Sequence, residues 1–205
     1  MKKTISRAMI ITYALFMVGC ASTYKPINPH YLNYNSVDEH DGIVMSYKYD
    51  VLREKGNNKY AKKEELKGVK LIAVKITNNT NSAITVGKDM LLFAGQNQIF
   101  PMEPTAIKNS IKQIVPAYLP YMLLSFLNLY VTKNGSTETY PIGLALGPGI
   151  TIGNMATAGS ANTKLLAELN ANNILDKDIQ SGETISGIIG VRDIGFNPLT
   201  FKLNK

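Results

Sequence analysis

A chain of 205 residues with 22 lysines and arginines against 15 aspartates and glutamates carries a formal charge of +7, and it holds two histidines and one cysteine. A single cysteine excludes an intramolecular disulfide, and with only His30 and His40 beside it there is no zinc ligand set. Basic residues are interleaved with acidic ones, as in Lys62-Lys63-Glu64-Glu65, and no arginine-rich or aromatic-interleaved stripe marks a nucleic-acid partner.

In chain order, Lys2, Lys3 and Arg7 form a positive start, and Ala8 to Val18 is an apolar run broken only by Thr12, too short to span a bilayer. Residues 1–19 therefore read as a signal peptide. The residues Met17-Val18-Gly19-Cys20 resemble the lipobox of bacterial lipoproteins, with Met17 where leucine is usual. That resemblance implies cleavage before Cys20 and acyl and diacylglycerol chains, palmitate among them, on its sulfur and amine; no other cofactor is expected. Ala21-Ser22 follow in place of an aspartate, which by the same resemblance implies the outer membrane, with the domain facing the periplasm. Removing Lys2, Lys3 and Arg7 leaves 19 basic against 15 acidic residues, a mild +4.

Residues 20–41 hold Tyr24, Pro26, Pro29, Tyr31 and Tyr34 without strand or helix periodicity, which predicts a flexible tether behind the lipidated cysteine. Asp38-Glu39-His40-Asp41 is then a solvated linker end, because neighbours in an extended chain point to alternate sides and do not converge on a cation.

From Gly42 the pattern changes: Met45, Tyr47, Tyr49 and Val51 alternate with Val44, Ser46, Lys48 and Asp50, a period of two that predicts a half-buried strand. A polar, lysine-rich connection leads to Val69–Thr77, β-branched and apolar on both faces, a central strand. Asn78-Asn79-Thr80-Asn81-Ser82 is a turn. Ala83–Val86, Met90–Phe93 and Ile99–Met102 are further strands, with a tight turn at Gly95-Gln96-Asn97-Gln98. Near the other end, Ser181-Gly182-Glu183 turns into the β-branched run Thr184–Val191, and Leu199, Phe201 and Leu203 alternate in a closing strand.

The segment Lys70 to Pro101, with its asparagine-rich turn, Asp89, Leu92-Phe93 and Asn97, resembles exported immunoglobulin-like domains of the DUF4352 or telokin-like type. Ser181-Gly182-Glu183-Thr184 through Phe201 is similar to their last hairpin. The resemblance implies a mainly β fold, an immunoglobulin-like antiparallel β-sandwich over 42–205. The sequence departs from that pattern at 105–179, an apolar, glycine-rich and expectedly helical insertion.

Within the insertion, 20 uncharged residues separate Lys112 from Lys133, and 25 separate Glu138 from Lys164. Pro116, Pro120, Asn128 and Pro148 argue against two membrane-spanning helices, since lipid leaves broken backbone unsatisfied. Three readings stay open: the segment packs on the sandwich, lies in the membrane interface, or docks on a partner. The candidate contact residues are Tyr118, Tyr121, Met122, Leu123, Phe126, Leu127, Tyr130, Ile150 and Ile152. Gly143 to Gly147 and Gly149 to Gly153 have the four-residue spacing of close helix approach, and Asn162 or Thr163 is a candidate helix cap.

Catalytic and metal residues are not found. No Gly-x-Ser-x-Gly elbow is present, and Gly147-Pro148-Gly149-Ile150-Thr151-Ile152-Gly153 is one residue too long for a dinucleotide loop and reads as a structural turn. The expectation is a non-enzymatic outer-membrane lipoprotein, an accessory or scaffold subunit of a cell-envelope complex, with an integral outer-membrane protein as partner and no nucleic acid. The other class is a periplasmic binding module for a lipid or other apolar ligand, its closed cavity lined by Tyr118, Met122, Phe126 and Ile150.

Overall fold

The computed structural model describes residues 19–192 and 195–204; the expected signal peptide lies outside the described residues except for Gly19. The chain divides into two compact units. The apolar unit comprises 19–23 and Gln113–Ala161, and the sheet unit comprises 24–112 and 162–204.

In the sheet unit, β1 (Ser36–His40), β2 (Ile43–Lys48), β3 (Val69–Asn78) and β10 (Thr184–Arg192) form an antiparallel sheet in the order β1-β2-β3-β10. A second antiparallel sheet runs β11-β5-β6, from β5 (Met90–Ala94), β6 (Asn97–Ile99) and β11 (Leu199–Leu203). A short pair joins β4 (Ile84–Thr85) to β9 (Asp178–Ile179). β3 is central because its β-branched run is buried on both faces: Ile76 lies opposite Met45 on one side and Ile185 on the other. Ile72, Val74 and Ile76 share one apolar cluster with Met90, Leu92, Leu199 and Phe201, so side chains of both sheets build the core.

Helices are more prominent than a mainly β expectation allows. Helix and strand occupy comparable shares, 36% and 32%, and the fold is mixed α/β with antiparallel sheets. The lysine-rich connection after β2 folds as α1 (Val51–Glu54) and α2 (Asn58–Lys67), because Tyr60, Ala61 and Glu64 recur at helical spacing and become the buried stripe of α2. α3 (Pro104–Ile111) buries Ile107 and Ile111, and both α2 and α3 pack against β3. Gly190 of β10 is needed here, since a Cβ there would stand 2.4 Å from Ile107 Cδ1. The predicted insertion 105–179 is therefore too wide: α3 and the end of α4 (Gly143–Ala171), with Leu165 and Leu169 buried, belong to the sheet unit.

The expected tether is largely structured. Tyr24 and Ile27 are buried, and β1 occupies its last residues. The Glu168 carboxylate of α4 accepts the Ile27 N–H at 2.8 Å, the Asn28 N–H at 2.8 Å and the Tyr24 hydroxyl. Asn57 pairs with Lys25 as a strand neighbour would, its Oδ1 accepting at 2.9 Å and its Nδ2 donating at 2.7 Å. Burial first, then Glu168, pushes the Tyr24 phenol far above its ordinary range. Asp38-Glu39-His40-Asp41 is not a linker end: Asp38 accepts the Phe201 N–H at 3.0 Å and His40 stacks on the Phe201 ring at 3.9 Å. The chain reverses at Asp41-Gly42, both at positive φ, the two-residue turn that matches strand twist.

Glu64 is only 4% exposed and accepts the Leu71 N–H at 2.6 Å. Burial pushes its carboxyl up from 4.5 to about 7. The folded state thus holds a proton that the unfolded state releases between about pH 4.5 and 7, so this contribution is present at low pH and lost as pH rises through 7. Urea titrations should show wild-type stability falling from pH 5 to 8 and Glu64→Gln removing that slope, with a gain of up to about 3 kcal/mol at pH 8. Glu168→Ala should cost about 2–3 kcal/mol in the same measurement, and Glu168→Gln less, since one acceptor oxygen remains.

Candidate functional site

The apolar unit begins with a 3₁₀ run, Val115–Phe126, in which Pro116 and Pro120 supply no N–H. In a 3₁₀ helix side chains three apart eclipse, so Val115, Tyr118, Tyr121 and Leu124 line one side. That row packs with Ala21, Ile150, Met155 and Ala158. Tyr118 is 3% exposed and stacks on Tyr121 with centroids 6.5 Å apart. The remaining positions turn outward: Met122, Leu123 and Leu127 are exposed, and Phe126 is 80% exposed.

β7 (Leu129–Lys133) and β8 (Ser136–Tyr140) follow as an exposed two-stranded ribbon, closed by Asn134-Gly135 at positive φ. α4 then runs unbroken through Gly147-Pro148-Gly149, a stretch read from sequence as a turn, and through Asn162 and Thr163, which are mid-helix residues and not caps. Pro148, the sixth residue of this helix, supplies no N–H there, while the first turn bonds to the Pro141 and Ile142 carbonyls. Gly143 and Gly147 sit hard against the 3₁₀ run: a Cβ on Gly143 would stand 2.3 Å from Leu124 O, and one on Gly147 2.6 Å from Ser125 N. Gly149 and Gly153, with the same spacing, have nothing within 4 Å.

That empty space is a groove of about 760 Å³ lined by Gly19, Cys20, Tyr121, Leu124, Leu127, Gly149, Ile150, Gly153, Asn154 and Thr157. Cys20 is exposed at its wall. The following backbone is fixed by two side-chain amides. Asn154 Oδ1 accepts the Ala21 N–H at 2.5 Å, and Gln113 pairs with Ser22, accepting its N–H at 3.1 Å and donating to its carbonyl at 2.7 Å. Asn154 Nδ2 donates to the Ile150 carbonyl at 2.8 Å.

The predicted contact residues therefore divide. Tyr118 and Tyr121 are buried support, Ile150 is partly buried and lines the groove, and Met122, Leu123, Phe126, Leu127, Tyr130 and Ile152 are exposed. The closed cavity of Tyr118, Met122, Phe126 and Ile150 does not form; of the four only Ile150 reaches the groove, because the three-residue period sends Met122 and Phe126 away from Tyr118. Gln113 and Asn154 were not foreseen, since single polar residues in an apolar stretch carry no spacing signal, and Leu124 was not because its three-residue period is not that of an α-helix.

Among the described residues no group of three or more histidine, cysteine, aspartate or glutamate side chains is placed to hold a metal, and no helix is long and apolar enough to cross a membrane. Another groove, about 430 Å³ and lined by Phe100, Met102, Arg192 and Asn197 among others, lies in the sheet unit. No protein-family model, curated protein or solved structure matches the chain.

The two glycine pairs should respond oppositely to the same change. Gly147→Ala forces Ser125 to shift and should lower the thermal midpoint, at a cost of about 1–3 kcal/mol. Gly153→Ala meets open space and should raise it, by about 1 kcal/mol of helix propensity.

Proposed function

We propose that this chain is a non-enzymatic lipoprotein, anchored through acylated Cys20 in the outer membrane and facing the periplasm, that serves as an accessory or scaffold subunit of a cell-envelope complex. Its sheet unit is an immunoglobulin-like sandwich of the DUF4352 or telokin-like type, and the apolar unit makes the protein–protein interaction with an integral outer-membrane protein. One observation carries the reading: Cys20 and the exposed apolar residues Met122, Leu123, Phe126, Leu127, Tyr130 and Ile152 belong to the same unit. A water-soluble surface seldom leaves such residues together unless something covers them. A lipid anchor adds a high local concentration near membrane partners, which lets a modest contact suffice.

The second reading, a periplasmic module for a lipid or other apolar ligand, is favoured by the groove beside Cys20. Purification from the native membrane in mild detergent separates the two. The accessory role expects an outer-membrane protein in stoichiometric yield, and a monomer carrying non-covalent lipid signals the binding module. Substituting Met122, Phe126 and Ile152 together by glutamate should cut partner recovery about tenfold or more, as loss of an aromatic anchor does. Full recovery with the triple variant overturns the assignment of this surface, and an unmodified sulfur in the mass spectrum overturns the anchor.

A further inference from the structure

We propose that the groove of the apolar unit houses one of the fatty acyl chains carried by Cys20 itself, so that the anchor is partly folded into the protein. This rests on the lipoprotein reading above.

The sulfur-bearing residue is part of the groove wall, so a chain bonded to it starts inside the site. Its position is not left to chance: Gln113 and Asn154 hold the next two residues against the unit through three hydrogen bonds. The lining matches a hydrocarbon in charge and in polarity. No lining residue is a lysine, arginine, histidine, aspartate or glutamate, and the surrounding stretches 113–132 and 139–163 hold no lysine, arginine, aspartate or glutamate. Asn154, the lining side chain with the most hydrogen-bonding capacity, is already bonded to Ala21 and Ile150. A peptide or a phosphate ligand would therefore find few partners, whereas an uncharged chain needs none.

The room comes from missing side chains. Gly149 and Gly153 stand four residues apart on one helix face with nothing opposite them, between the walls made by Tyr121, Leu124, Leu127 and Ile150. At about 760 Å³ the space falls within the roughly 300–1,000 Å³ of sites that enclose small apolar molecules. A free membrane lipid offers the same chemistry, but the position of Cys20 favours its own chain.

The test uses the full protein in its native cells, fed a fatty acid bearing a terminal diazirine, irradiated, purified and digested. The expected result is a covalent pair joining the Cys20 peptide, through its acyl chain, to peptides containing Leu124, Leu127 or Ile150. Gly153→Leu and Gly149→Leu should each lower that pair roughly tenfold by filling the space, while Gly159→Leu, at another open helix position outside the groove, leaves it unchanged. Adducts from Cys20 to phospholipid alone, groove adducts derived from phospholipid alone, or pairs indifferent to Gly153→Leu overturn the proposal. Label absent from Cys20 altogether removes the lipoprotein reading as well, and the intact mass of the mature chain separates that failure from an empty groove.

Discussion

Backbone N–H and C=O groups must find partners once water is removed, and residues 21–28 have neither a strand nor a regular helix to supply them. Four side chains from distant parts of the chain take that place. Gln113 and Asn154 hold Ser22 and Ala21 within the apolar unit, and Asn57 and Glu168 hold Lys25, Ile27 and Asn28 within the sheet unit. Two of these contacts copy the geometry of a strand pair, one donor and one acceptor offered by the same amide. Because each is long-range, the segment gains order only when the rest of the molecule is folded.

Where the chain could be read in advance, the reason was local. Period-two alternation at Met45 and Tyr47, the two-faced apolar run of Val69–Thr77 and the asparagine turn all follow from residues within a few positions of each other. At that turn Asn78 is fully buried, donating to Ser82 and Ile179 carbonyls and accepting from Thr80, which is why an asparagine fits there. Asp41-Gly42 and Asn134-Gly135 are equally local hairpin signals, one at the end of the expected tether and the other between the two uncharged stretches of the insertion.

What was illegible depended on contacts across the chain or on an unusual period. Tyr24 and Ile27 have no rhythm of their own, so their burial is set by Glu168, some 140 positions away. Val115, Tyr118, Tyr121 and Leu124 repeat every three residues, a pattern that a search for 3.6 passes over. The glycine spacing was visible, but the division of labour was not: one pair admits close packing against Leu124 and Ser125, while the other leaves a space. Cys20 was conspicuous from the start, and the groove it borders was not.

Under the lipid anchor proposed above, the clamp on Ala21 and Ser22 would set how far the molecule could range from a leaflet holding its sulfur by a thioether. Twenty-two loose residues would have allowed an excursion of roughly 70 Å. With the backbone held from Ala21 onward, such an anchor would leave a leash of only a few ångströms and would keep the apolar unit beside the head groups. A protein so anchored would sample only neighbours that drift past in the plane.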